Sequence, residues 1–125
     1  MKRYEDIVRA YFNMWVTKDR TKLNEIFHTD IVYVECYGPE YHGIDQIIQW
    51  FDDWNQKSTV LCWDIKRILV CNQTVVTEWY FECNYESCID GFDGVTIMEF
   101  DSEDKITILK EFQSKAIHEF PYETT

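Results

Sequence analysis

Alternate positions of Thr74–Glu86 carry Val75, Thr77, Trp79, Phe81, Cys83 and Tyr85, and the positions between them carry Val76, Glu78, Tyr80, Glu82, Asn84 and Glu86. Side chains on a strand point to opposite faces with period two, so one long strand with an aromatic face is expected. That face is suited to wall a pocket for a small, partly hydrophobic organic molecule. Trp50 and Trp54 stand four apart and read as core residues first and pocket residues second. Other chemistry is harder to assemble. His28 and His118 read as surface or helix-end residues, and His42, just before Gly43, as a loop anchor rather than a base. No His/Asp/Glu group has metal-ligand spacing. Asp90 and Asp93 do not match a calcium loop, and Asp101, Glu103 and Asp104 form a solvated turn. No glycine-rich phosphate loop or Ser/His/Asp set can be drawn. Neither a metal nor a cofactor is expected.

The composition narrows the partners. Twelve basic and 23 acidic residues give a formal net charge of −11. Such a chain repels phosphate backbones and anionic membrane surfaces, so neither nucleic acid nor membrane is expected as a partner. The five cysteines, Cys36, Cys62, Cys71, Cys83 and Cys88, form no Cys-x-x-Cys pair, and most lie inside apolar strand patterns. They read as free thiols used as small core residues. The N-terminal residues do not resemble a secretory leader and no apolar run reaches membrane-span length, so a cytoplasmic protein is expected. At 125 residues the chain is read as one domain, 1–125.

The elements that must position the aromatic strand follow from periodicity. Tyr4, Ile7, Val8, Tyr11 and Trp15 recur at helical spacing, predicting a helix over 3–18. Asp19 is placed to cap a short second helix with Leu23, Ile26 and Phe27 on its face, ending near His28. A strand is expected over Asp30–Tyr37, broken by Gly38-Pro39. Gly43 then precedes a third helix with Ile44, Ile47, Ile48, Phe51 and Trp54 in one stripe. Strands follow at Val60–Cys71, Thr74–Glu86, Val95–Phe100 and Lys105–Lys115, with turns at Asn72-Gln73, Asp90–Gly94 and Asp101–Asp104. Helices first and antiparallel strands afterwards indicate an α+β domain with helices packed on one face of a curved sheet.

Several segments carry a family resemblance. They are Tyr11 in a helix ending Thr17-Lys18-Asp19, then Leu23-Asn24-Glu25-Ile26-Phe27-His28-Thr29-Asp30, and His42-Gly43-Ile44 opening the third helix. Gly94-Val95-Thr96-Ile97-Met98-Glu99-Phe100, Lys105-Ile106 and Leu109-Lys110-Glu111-Phe112 complete the set. The chain resembles the nuclear transport factor 2-like superfamily, and within it the SnoaL-like proteins. The resemblance implies a cystatin-like, cone-shaped half-barrel with its cavity between three N-terminal helices and a mostly antiparallel sheet. That fold hosts ketosteroid isomerases, scytalone dehydratase, limonene epoxide hydrolases, polyketide cyclases and non-enzymatic dimerisation domains, so the site must be argued separately.

Carried over from ketosteroid isomerases, the tyrosine donor falls on Tyr11, the carboxylate base on Cys36 and the second acid on Thr96. Two of the three roles are missing. Cys36 as a nucleophile would need a nearby cation or base, which Glu35 and Tyr37 do not offer, so it is read as a small lining residue. Carried over from limonene epoxide hydrolases, an arginine and an aspartate fall on Trp79 and Phe81, and a second aspartate on Glu111. The resemblance thus implies that Leu109, Glu111 and Gln113 face inward and Phe112 outward. The opposite parity would put Phe112 in the core and Glu111 in solvent.

An inward Glu111 among Trp15, Trp79 and Phe81 would have a raised pKa. Tyr11 and Gln113 are expected to donate hydrogen bonds to it. The function expected is binding of a small organic molecule, with cofactor-independent lyase, isomerase or hydrolase chemistry at Glu111 and Tyr11. Trp15, Cys36, Trp50, Trp54, Trp79, Phe81, Thr96 and Gln113 are expected as ligand-binding residues. The alternative is a non-enzymatic dimerisation or interaction module with a filled cavity. Tyr80, Ile97 and Phe112 on the outer sheet face point to a homodimer through that face.

Overall fold

Tyr4, Val8, Tyr11, Phe12 and Trp15 are buried along one side of the first helix, α1 (Lys2–Thr17). The computed structural model describes residues 2–123, so the ends of the expected 1–125 span lie outside the described residues. A four-residue helix α2 (Leu23–Ile26) leads into strand β1 (Phe27–Val34). A short strand β2 (Glu40–His42) precedes helix α3 (Ile44–Lys57). Four long strands complete the chain: β3 (Ser58–Cys71), β4 (Thr74–Tyr85), β5 (Cys88–Phe100) and β6 (Ile106–Ser114).

The strands form one sheet in the order β2-β1-β6-β5-β4-β3. Every pairing is antiparallel except β1 with β6. Register irregularities interrupt β3 at Val60/Cys62 and Ile65/Arg67, β1 at Phe27/Val32, and β6 at Thr107, opposite Glu99/Phe100 of β5. Bulges of this kind bend a strand and increase its twist. The three helices pack on the inner face, and the α+β arrangement expected from the sequence is found.

Aromatic contacts fix the helices on the sheet. Phe12 of α1 stacks on Trp63 of β3 with centroids 4.0 Å apart, and Tyr4 stacks on Phe100 of β5 at 4.3 Å. Trp50 of α3 meets Tyr33 of β1 edge-on at 5.0 Å. On β4 the alternation holds over nearly its whole length: Val75, Thr77, Trp79, Phe81 and Cys83 are buried, while Glu78, Tyr80 and Glu82 lie half-buried on the outer face.

Several local expectations change. Asp19 does not cap α2; its carboxylate accepts the Thr21 amide, while Lys22 holds the N-cap position. Phe27 is already in β1, because the chain pairs there with Ile106 of β6. Strand β2 was not expected; it forms because Gly38 (φ 112°) lets the chain double back on β1.

The largest change is at Asp90–Gly94, which is strand rather than turn. The reversal lies at Glu86-Ser87, both in the left-handed region (φ 49° and 71°), as tight hairpin turns require. Gly94 serves packing instead. It pairs with Trp79 across β4 and β5, and its missing Cβ leaves room for the indole. All five cysteines are free, but Cys71 and Cys88 are exposed rather than in the core, because both sit at hairpin ends.

Candidate functional site

Between the helices and the inner sheet face lies a cavity of about 40 Å³. All five tryptophans of the chain line it: Trp15 from α1, Trp50 and Trp54 from α3, Trp63 from β3 and Trp79 from β4. Tyr33, Tyr37, Phe81 and Phe92 complete the aromatic wall. Its polar residues are Glu35, Cys36 and Glu111. A wider mouth of about 530 Å³ shares Glu35, Tyr37, Trp50 and Trp54 with the cavity and adds Asp53, Lys57 and Asp90.

Glu111 is 7% exposed. It reaches the inner face because it pairs with Thr96 of β5, and Thr96 pairs with Thr77 of β4; all three are buried. A chain of hydrogen bonds ends on its carboxyl group. Trp15 Nε1 donates to Tyr11 Oη (2.9 Å), Tyr11 Oη to Tyr33 Oη (2.7 Å), and Tyr33 Oη to Glu111 Oε2 (2.6 Å). An indole nitrogen only donates. The chain therefore has a direction: each hydroxyl proton is turned towards Glu111.

Burial pushes the Glu111 carboxyl up from 4.5 to about 8. The Tyr33 hydrogen bond and the Cys36 backbone favour the ion and partly offset this, while the negative Glu35 adds to the rise. Glu35 is 9% exposed, accepts from Tyr41 Oη at 3.0 Å, and is itself raised by burial. The Tyr11 and Tyr33 hydroxyls are raised well above 10, chiefly by burial and next by Glu111. The Cys36 thiol is pushed up to about 12 by burial and by Glu111 and Glu35. It stays a thiol at neutral pH, the opposite of an activated nucleophile. Chemically, the arrangement offers a carboxyl group that is an acid near neutral pH and a base slightly above it, inside an apolar enclosure.

Residues 8–108 match the sequence model of the SnoaL-like domain. The chain belongs to the SnoaL-like domain family. Solved structures share the fold of this SnoaL-like chain at low identity. An M. tuberculosis LEH-like epoxide hydrolase is 17% identical over 90% of this chain and 84% of its own, with a TM-score of 0.80. A SnoaL-like polyketide cyclase from Shewanella denitrificans is 16% identical over 91% and 92%, with a TM-score of 0.78. A protein from Catenulispora acidiphila with a ketosteroid isomerase-like fold, in complex with trimethylamine, is 19% identical over 88% and 85%, with a TM-score of 0.76. No curated protein matches the sequence.

Of the residues singled out in the SnoaL-like sequence, Trp15, Cys36, Trp50, Trp54, Trp79, Phe81 and Glu111 all line the cavity. Three lie elsewhere. Tyr11 is fully buried behind Tyr33 and reaches Glu111 only through it. Thr96 is covered by Trp79, whose Nε1 donates to its hydroxyl at 2.8 Å. Gln113 has the inward parity but is exposed, because it sits beyond the cavity near the end of β6. Its amide donates to the Cys36 carbonyl (3.3 Å) rather than to Glu111.

Tyr33, Glu35, Tyr37, Trp63 and Phe92 were missed as lining residues. Tyr33 and Glu35 follow Ile31 at intervals of two, a signal hidden by the equally apolar Val32 and Val34 between them. His42 is exposed and paired with Glu40. Among the described residues no group of three or more His, Cys, Asp or Glu converges to hold a metal, and no helix is long and apolar enough to cross a membrane.

Proposed function

We propose that the protein binds a small, partly apolar organic molecule in the tryptophan-lined cavity and moves a proton to or from it through Glu111. The observation that carries this reading is the Glu111 carboxyl, buried at the cavity wall and held near neutrality at about 8. A carboxyl group in that range is suited to general acid or base chemistry. Tyr33 steadies the ionised form by its hydrogen bond, and Tyr11 and Trp15 orient Tyr33. The reaction class is a cofactor-independent lyase, isomerase or hydrolase step. Five free thiols support a reducing, cytoplasmic setting.

The test is a small-molecule screen read by tryptophan fluorescence, followed by turnover assays on hits with wild type and Glu111→Gln. Binding retained with turnover lost supports the reading. Binding and turnover both unchanged in the variant contradict it.

One observation favours a second role, as a homodimer. Phe112 is 54% exposed on the outer face. The registers place Val95 beside it, and run Ile97, Val76 and Leu69 along the next row. A second copy covering this face would remove that apolar surface from water. A monomeric mass by light scattering at micromolar concentration would exclude it.

A further inference from the structure

Resting on the reading of the cavity as a ligand site, we propose a chemical class for its occupant. The cavity takes a small organic cation, an alkylammonium group, held against the tryptophan faces and between the carboxyls of Glu35 and Glu111.

The lining carries two buried acids and no Lys, Arg or His. The mouth adds Asp53 and Asp90 against Lys57 alone. An anionic ligand would find no cationic partner in the cavity lining and would pass Asp53 and Asp90 at the mouth. A neutral apolar ligand would leave both acids desolvated and held by protonation alone, which burial favours in each. A single cation answers both carboxyls at once.

The walls suit the same occupant. Indole faces attract an ammonium group through the ring quadrupole, best among the aromatic side chains, and aromatic cages are the usual solution for methylated ammonium ligands. Trp15 lies within 4.8 Å of Trp50 and 5.5 Å of Trp54, centroid to centroid, the latter edge-on. Trp63 and Trp79 stand at 85° to each other. Rings at these separations touch one another, so the indoles form a continuous aromatic wall that a cation would meet from the cavity side.

The donors nearest the carboxyls are already engaged. Tyr33 gives its proton to Glu111, Tyr41 to Glu35, Trp15 to Tyr11 and Trp79 to Thr96. Trp63, which also lines the cavity, has a buried Nε1 without a partner. With the Tyr33 and Tyr41 hydroxyls engaged, the carboxyls once ionised have no cationic partner in the lining, which an ammonium ligand would supply.

Size limits the head group. A water occupies about 10–15 Å³ on this measure, so 40 Å³ admits roughly three or four waters, about the size of a small alkylammonium head. Any longer substituent would extend past Glu35 and Trp54 into the mouth. The net charge of −11 also raises the encounter rate for cations at low salt.

Charge coupling gives the class a pH signature. The titratable groups around Glu111 are Tyr33 and Cys36 on the β1 side, Glu35 and Tyr37 beside them, Tyr41 of β2, and Tyr11 of α1 behind Tyr33. From α3, β3, β4 and β5 the lining residues are Trp50, Trp54, Trp63, Trp79, Phe81 and Phe92, none of which titrates. The tyrosines and Cys36 are all raised above their usual values. The two carboxyls are left to titrate. A cation favours their ionised forms, so its binding expels a proton and tightens as pH rises.

The test compares tetramethylammonium and choline with dimethylbutanol, choline's uncharged carbon isostere, using the intact protein. Binding is read by tryptophan fluorescence and by calorimetry in two buffers of different ionisation enthalpy. The expected result is choline at least about tenfold tighter than its isostere at about pH 9. Choline affinity should fall by up to about tenfold per pH unit below the Glu111 midpoint, with proton release on binding and an unchanged isostere affinity. Glu35→Gln should weaken choline and not the isostere. An isostere that binds as tightly as choline at every pH overturns the cationic class while leaving a small-molecule site intact. Failure of both cations to bind overturns it too, and the turnover comparison with Glu111→Gln then judges the acid–base reading separately.

Discussion

Tyr33 Oη lies 2.6 Å from Glu111 Oε2 and joins residues 78 positions apart. The two sit on β1 and β6, the parallel pair of the sheet. This bond couples the helical layer to the carboxyl, since Tyr33 is itself held by Tyr11 and Tyr11 by Trp15.

Stability should fall as the pH rises towards mildly alkaline values. Glu111 holds its proton more tightly in the folded state, at about 8 against 4.5. Its contribution is therefore complete below about pH 4.5 and is lost as pH passes through 8. The size is on the order of a few kcal/mol. Urea denaturation from mildly acid to alkaline pH should show this decline in wild type and a flatter profile in Glu111→Gln. The variant should be the more stable protein at the alkaline end.

Tyr33→Phe removes the one side-chain hydrogen bond that favours the Glu111 ion and leaves the Tyr11 hydroxyl without its acceptor. A loss of about 1–3 kcal/mol is expected, with the Glu111 midpoint moving further up. Tyr11→Phe should cost a similar amount by orphaning Trp15 Nε1, yet move that midpoint less, because the Tyr33 bond remains. Denaturation and a carboxyl titration on both variants separate the two effects.

The aromatic face of β4 was legible because alternation runs through Val75, Trp79, Phe81 and Cys83 with acids between them. Glu111 was reached through family resemblance, since the short β6 pattern admits both parities. Tyr33 was not legible: β1 is apolar on both parities, so nothing marks which side is inner. Asp90-Gly91-Phe92-Asp93-Gly94 has turn composition, but Gly94 answers to the Trp79 ring across the sheet, a contact that local sequence does not encode. Thr96 and Gln113 show that parity fixes a face and not a position. One is covered by Trp79 and the other lies past the cavity.

Gly94→Ala should damage the site from behind. An added Cβ would lie 2.6 Å from the Phe112 carbonyl and overlap the Trp79 indole. Displacing that ring costs about 1–3 kcal/mol and deforms the cavity wall. Chemical denaturation should show the loss, and the tryptophan emission of the folded protein should shift.

Thiol labelling should sort the cysteines by environment. Cys71 and Cys88 are exposed and should react first. The Cys36 and Cys83 thiols, raised by burial to about 12 and about 11, should react slowly in the folded protein. Mass spectrometry after brief alkylation should find two fast sites, and five after unfolding. A disulfide in the unreduced protein would contradict this pattern.

The most direct measurement is an NMR titration of the glutamate side-chain carboxyls in wild type and Glu111→Gln. One resonance, absent from the variant, should titrate with a midpoint near 8. A Glu111 resonance that titrates near 4.5, the ordinary carboxylate value, would contradict a buried acid–base group at the cavity wall.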